Sequence, residues 1–321
     1  MKAMHDAKIT VALATMNRPE KLRQCVAAIL NGRTLPAEII VVDQSTDDRT
    51  AELVDASGWR AIAPIRYIRQ ERKGLASCRN TALVHATQPI VAFTDDDCIP
   101  DAGWLTALVR AFEGDERPDA VTGRVLPLGP DRAGLYPVST RPSATRAVHR
   151  RRSLPWAVGT GGNAAVRREW LDRVRGFDER LGIGSPGQSA EDLDLFYRLL
   201  RAGAVIQYEP PAVIFHERQP VEGRLSRAAS YGFGMGAVCA LWARQRDAYT
   251  LWIVLRWCVD RGDTLLRACI RRQWWRIREE WLTIDGARRG IAYGLRLANE
   301  QPAPAGADAP FDNPQVREAV R

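Results

Sequence analysis

The chain opens on a repeating alternation of short apolar runs and longer amphipathic stretches. Residues 9–13, 39–42 and 90–93 are short apolar runs, the first interrupted only by Thr10, which predicts strands buried on both faces. Residues 20–30 and 75–86 carry apolar positions at helical spacing. Strand-then-helix units from residue 8 to about 125 predict a mostly parallel sheet covered by helices on both sides. Ligands of such sheets bind at the carboxyl ends of the strands. Polar residues follow each apolar run: Thr15 and Asn17, then Asp43, then Asp95, Asp96 and Asp97. Three strands ending in acids or hydroxyls at one edge describe a site, where one alone would describe a turn.

Beyond this point the pattern changes. Residues 127–158 are rich in Pro, Ser, Arg and Gly and predict a long loop. Periodicity returns at 161–167, and Leu193, Phe196 and Leu200 share one face of a helix over 191–202. A strand pair at 205–208 and 213–215 follows. Residues 222–298 predict helices, with 14 arginines against 7 acids and six of the ten tryptophans. The expected division is a catalytic domain over 1–220, a basic Trp-rich helical extension over 221–300 and a disordered tail over 301–321.

Composition narrows the class only a little. The 321 residues are 45% hydrophobic and 26% charged, enough to build a sizeable core. A net charge of +8 suits an anionic partner without choosing among nucleotide, nucleic acid and membrane. The six cysteines have no metal-like spacing and predict reduced thiols in a cytosolic protein. No signal-peptide pattern opens the chain, and the best apolar stretch, 251–255, is broken by Arg256 and Asp260. The expectation is a protein that is soluble or lies on a surface.

Three carboxylates in succession at Asp95–Asp97 repel one another unless a cation neutralises them, and oxygen ligands favour Mg²⁺ or Mn²⁺. The competing reading is a solvated acidic turn that caps the helix starting near Ala102. Asp43 ends a strand and can accept a hydrogen bond from a nucleobase; Ser45 and Asp48 beside it fit a capping box. Asp192, with Glu191 beside it, opens a helix whose dipole favours an ionised carboxylate, as a general base requires. Ser189 three residues earlier allows a capping box there too. His216 follows a strand, Arg79 could reach a phosphate, and Gly161-Gly162-Asn163 would let a backbone approach a ligand closely. No GxxxxGK[ST] or GxGxxG loop is present.

Taken together and in order, Thr15-Met16-Asn17-Arg18-Pro19, Val41-Val42-Asp43, the run from Gly74 to Asn80, Phe93 to Asp97, Gly161-Gly162-Asn163, Gly176-Phe177-Asp178, Glu191 to Asp194 and His216 resemble family 2 glycosyltransferases. The resemblance implies an α/β GT-A fold, a Rossmann-like nucleotide-diphospho-sugar transferase, carrying here a C-terminal helical extension. It implies that Thr15, Asn17, Arg18, Asp43, Arg79, Asp95 and Asp96 bind the nucleotide and its phosphates. It further implies that Asp95, Asp97 and His216 hold Mn²⁺ or Mg²⁺, that Gly162 and Asn163 border sugar and acceptor, and that Asp192 with Glu191 is catalytic. The reaction implied is inverting transfer from a UDP-, GDP- or dTDP-sugar to a saccharide or lipid-linked hydroxyl, in cell-surface polysaccharide or glycolipid synthesis. The family's processive members carry QxxRW and membrane spans; neither is found here, so one sugar per encounter is expected.

Two readings of the basic end stay open. It lies on anionic lipid at the inner face of the plasma membrane, or its tryptophans pack against the core or in an oligomer. A sugar nucleotidyltransferase is the alternative enzyme, although residues 8–20 lack its glycine-rich basic signature. A non-catalytic basic binding module is the alternative outside enzymes, and it leaves the acids at the strand ends unexplained. Nucleic acid is not expected as a partner.

Overall fold

A computed structural model describes residues 4–244 and 247–297. The expected tail at 301–321 lies outside them. The elements run β1 (Met4–Thr15), α1 (Pro19–Leu30), β2 (Thr34–Asp43), α2 (Arg49–Ala56), β3 (Ile65–Arg69), α3 (Leu75–His85), β4 (Ile90–Asp95), β5 (Cys98–Pro100) and α4 (Trp104–Glu113). There follow β6 (Ala120–Pro127), β7 (Leu135–Tyr136), β8 (Ala147–His149), α5 (Pro155–Val158), β9 (Asn163–Arg167), α6 (Arg168–Arg173), α7 (Glu191–Ala202), β10 (Ile206–His216) and β11 (Gln219–Pro220). Three long helices close the chain: α8 (Arg224–Arg244), α9 (Ala248–Ile270) and α10 (Trp274–Leu297).

The main sheet has the order β3-β2-β1-β4-β9-β6-β10-β5, with β8 paired to β10. Its first four strands are parallel, as expected. The second half is mixed, because β9 runs antiparallel to both β4 and β6. Side chains alternate across the parallel strands with period two. Val11, Leu13, Ile39 and Val41 join the core under α1, α2 and α4, while Ala12, Ile40 and Val42 join the core under α3, α6 and α7. Both faces are therefore apolar, which accounts for the apolar runs in the sequence.

Two expectations about the middle of the chain are corrected. The stretch 127–158 is not a bare loop: it holds β7, β8 and α5, and Val125 bridges to Arg141. Residues 206–216 form one strand, not two. Pro210 and Pro211 lack the N–H groups a ladder needs, so β10 bulges between Glu209 and Val213 and then resumes against β6.

The helical extension is tied to the catalytic layer. Trp242 of α8 is fully buried, stacks on Tyr197 of α7 at 4.1 Å, and donates its indole N–H to Asp194 at 3.0 Å. Helices α8 and α10 approach backbone to backbone. A Cβ at Gly290 would stand 1.9 Å from the Phe233 carbonyl oxygen, so any side chain there would force the pair apart.

Candidate active site

The carboxyl ends of β1 and β4 point into a cleft formed by two joined cavities. One, of about 540 Å³, is lined by Thr15, Arg18, Gln44, Arg72, Gly74 and Arg227, among others. The second, of about 520 Å³, is lined by Arg141, Trp156, Gly161, Gly162, Asp192 and Trp257, among others. Asp95, His216 and Tyr231 belong to both walls, so the cavities meet at the end of β4.

Carboxylate and imidazole atoms of Asp95, Asp97 and His216 converge there, all within 4.8 Å of one another and of the Cys98 sulfur. The Nδ1 of His216 faces the Glu217 carbonyl at 2.7 Å, and a carbonyl only accepts, so the ring proton sits on Nδ1. That leaves Nε2, 3.8 Å from Asp97 Oδ1, as a lone-pair donor. Two carboxylates and an imidazole suit a hard or borderline divalent cation such as Mg²⁺ or Mn²⁺. Cys98 is a poor fourth ligand, because burial holds its thiol well above the usual range and therefore protonated.

The middle acid has a different task. Asp96 is buried and turned away from both cavities, accepting from the Thr15 hydroxyl at 2.7 Å and pairing with Arg18 at 2.6 Å. Burial pushes its carboxyl up to about 7 against the pull of Arg18. The same Arg18 reaches Asp97 at 3.2 Å, tying the start of α1 to the acidic turn. The structure thus does not bring Asp96 to the cleft wall, where Thr15, Arg18 and Asp95 stand.

Arg79 and Glu191 also differ from expectation. The Arg79 side chain is buried over the Phe177 ring, and its two terminal nitrogens bond Asp95 and Glu191, each at 3.0 Å. Burial works against its charge, and the surrounding Asp95, Glu191 and Asp192 more than offset this and raise its pKa. Both forks of the guanidinium are committed to carboxylates, so it is a brace between β4 and α7, not a free phosphate ligand. Glu191 is committed in turn; burial, with Asp192 beside it, pushes its carboxyl up to about 7.

Asp192 is the carboxylate that remains open. It sits in the first turn of α7, and its Oδ2 accepts from the Gly161 N–H at 2.7 Å while Oδ1 accepts from the Leu193 N–H at 2.7 Å. The capping box suggested by Ser189 does not form: Ala190 takes the N-cap position, and the Ser189 hydroxyl donates to the Ser230 carbonyl at 2.8 Å. Gly162, next in the chain, abuts Asp95: a Cβ there would lie 2.5 Å from Asp95 Oδ2. Two adjacent glycines therefore bring the open carboxylate and the acidic cluster against one short segment.

The third residue of that motif faces the other way. Asn163 is fully buried, its amide donates to the Arg124 and Ala212 carbonyls at 3.0 and 2.9 Å, and its oxygen accepts from the Trp104 indole at 2.9 Å. It joins β9 to β6 and β10 rather than bordering the cleft. Asp43 is likewise fully buried, with its oxygens taken by Ser45 and by the Tyr67 hydroxyl at 2.7 Å. The Ser45 hydroxyl is used there, so no capping box with Asp48 forms. The Asn17 side chain accepts from the Thr46 N–H at 3.0 Å and so braces a neighbouring loop.

The motif order and the cleft agree with comparisons to known proteins. A family model, Glycosyl transferase family 2, matches residues 10–175. The pre-mycofactocin glycosyltransferase of Mycobacterium tuberculosis is 31% identical over 247 residues, covering 74% of this chain and 48% of that protein. Chondroitin synthase of Escherichia coli is 24% identical over 262 residues, covering 69% and 36% respectively. This chain thus spans about half the length of the first relative and about a third of the second. Among solved structures, the mannosyltransferase PcManGT from Pyrobaculum calidifontis in complex with GDP-Man and Mn²⁺ superposes with a TM-score of 0.57 at 20% identity, covering 99% of this chain and 81% of that one. The S. aureus TarS fragment 1-349 gives a TM-score of 0.57 at 16% identity, covering 92% and 90%. The fold is of the GT-A type, and the chain belongs to glycosyltransferase family 2.

Proposed function

We propose that this protein transfers one sugar per encounter from a nucleoside-diphosphate sugar to an acceptor hydroxyl, with inversion, and that Asp192 is the general base. The observation that carries the proposal is the open Asp192 carboxylate, oriented by the Gly161 N–H beside the Asp95, Asp97 and His216 cluster. A divalent cation held by those three residues would neutralise charge on the departing diphosphate. Arg72 and Arg227 line the donor cavity and supply positive charge toward an anionic nucleotide, beside Arg18, which is paired with Asp96 and Asp97. Asp192 lies in the other cavity, placed to take the proton of a hydroxyl that attacks the anomeric carbon from the side opposite the leaving group.

The test is release of nucleoside diphosphate from a panel of UDP-, GDP- and dTDP-sugars with Mn²⁺ or Mg²⁺. The expected result is release from at least one donor by wild type and loss of about 10²-fold or more in Asp97→Ala, in line with the several kcal/mol a metal contributes. Equal release by both proteins contradicts the metal assignment.

We further propose that α9 and α10 rest on an anionic membrane, which places the enzyme at the inner membrane face for a lipid-linked acceptor in cell-envelope synthesis. Trp252, Trp274 and Trp281 are 50%, 74% and 65% exposed, and Leu251, Leu255, Leu266 and Ile270 add an apolar stripe along α9. So much unpartnered apolar surface marks an interaction face, and exposed arginines such as Arg267 and Arg288 lie among it. No helix among the described residues is long and apolar enough to cross a membrane. Co-sedimentation with phosphatidylglycerol vesicles is expected, weakened by salt and by Trp274→Ala with Trp281→Ala. Absence of binding at low salt contradicts the idea, and a concentration-dependent dimer without vesicle binding would assign the face to a second copy.

A further inference from the structure

The acceptor half of the cleft contains a cation that the transfer reading has not used. Several enclosed guanidinium groups in this protein have carboxylate partners: Arg79 has Asp95 and Glu191, and Arg198 has Asp194 at 2.6 Å, whereas Arg167 spends its donors on the Pro118 and Phe112 carbonyls. Arg261, on the same cavity wall, has Glu280 at 3.1 Å. That pattern follows from the cost of removing a charge from water. Arg141 lines the same cavity without such a partner. Its Nη2 donates to the Trp156 backbone carbonyl, its Nε is buried without a hydrogen-bond partner, and no carboxylate lies within 4.0 Å among the described residues. Burial lowers its pKa from the ordinary value, and the field of Asp192 only partly offsets this.

The position of Arg141 is not accidental to the fold. Its backbone bridges to Val125 of β6, and its carbonyl accepts from the Tyr208 hydroxyl at 3.0 Å. The side chain lines the cavity that holds Asp192 and not the one lined by Arg18, Arg72 and Arg227. Around it stand Trp156, Trp257 and Tyr231, flat faces of the kind that pack on a sugar ring.

We infer that the acceptor is a saccharide carrying an anionic group, a carboxylate or a phosphate, near the hydroxyl to be glycosylated, and that Arg141 recognises that group. The inference rests on the transfer reading above and deepens it. An anion there would supply the missing partner of Arg141. It would also explain why a cation is placed beside Asp192, where an anionic acceptor would otherwise be repelled by the base.

The test uses the full chain with Mn²⁺ and whichever of UDP, GDP or dTDP binds most tightly. Binding of methyl β-glucuronide, glucose 6-phosphate and methyl β-glucoside is measured by calorimetry for wild type, Arg141→Gln and Arg141→Lys. At least one anionic probe is expected to bind wild type about 10-fold more tightly than the glucoside, the scale of one charge-assisted hydrogen bond. Arg141→Gln should erase that preference, and Arg141→Lys should keep part of it while changing nucleotide affinity less than twofold. Preference for the glucuronide identifies a carboxylate, and preference for the sugar phosphate identifies a phosphate. Equal binding of all three probes by wild type overturns the inference. A loss of nucleotide affinity in Arg141→Lys as large as its loss of probe affinity also overturns it, by assigning Arg141 to the donor. Donor hydrolysis by wild type is followed alongside. Failure of the transfer reading abolishes turnover, whereas failure of the anion subsite abolishes only the preference among probes.

Discussion

The two halves of the sheet treat their carboxylates differently. In the parallel half, acids at strand ends are paired within the protein: Asp43 with Ser45 and Tyr67, Asp96 with Thr15 and Arg18, and Asp95 with Arg79. In the mixed half, Asp192 is held only by backbone N–H groups and remains open to the cavity. The first arrangement fixes a rigid frame around the acidic cluster. The second orients a carboxylate without using up its charge, which is the condition a base must meet. A carboxylate at a strand end thus identifies the edge of a site, and its partners decide whether it shapes the site or works in it.

Arg79 is the link between the halves, so its loss should have the largest effect on folding. Arg79→Met leaves the buried Glu191 without its cation and the cleft-lining Asp95 without its brace, and about 3 kcal/mol of stability should be lost in urea denaturation. A loss below about 1 kcal/mol would mean that the two halves are held together by other contacts. Asn163→Ala should come next. It orphans the Trp104 indole and two backbone carbonyls behind the cleft, at a cost of about 3 kcal/mol in total, while nucleotide affinity of the folded protein stays unchanged. Lost nucleotide affinity would return Asn163 to the cleft. Tyr67→Phe, which removes one donor to Asp43, should cost only about 1–2 kcal/mol in the same measurement.

Much of this frame is legible in the residues themselves. The strands ending at Thr15, Asp43 and Asp95 announce themselves because parallel strands buried on both faces must be apolar throughout. Helix α7 falls at 191–202 as its periodicity predicts. The Asp95, Asp97 and His216 cluster follows from motif order, although 118 residues separate its last two members in sequence, as their numbers give directly. What sequence does not carry is the direction of a side chain. Asn163 sits one residue from Gly162 and faces the opposite way, because alternation along β9 turns it into the sheet. Asp43 is claimed by Tyr67, 24 residues away on the neighbouring strand. The capping boxes at Ser45 and Ser189 do not form: the Ser45 hydroxyl donates to Asp43 and accepts from the Asn17 N–H, and the Ser189 hydroxyl donates to the Ser230 carbonyl. Arg141 and Trp156 lie in a stretch whose composition reads as loop, and no local pattern marks them. The tryptophans of the basic end divide three ways: Trp242 packs inside, Trp257 lines the cleft, and Trp252, Trp274, Trp275 and Trp281 face outward.

Asp192→Asn tests the central claim most directly, because the amide keeps the shape and can keep the Gly161 hydrogen bond, giving up only the one from the Leu193 N–H, while removing the basicity. Donor turnover should fall by about 10²–10⁴-fold, the usual contribution of a general base, with nucleoside-diphosphate affinity and melting temperature little changed. Turnover within a few-fold of wild type, or an equal loss of nucleotide affinity, would contradict the assignment of Asp192 as the base.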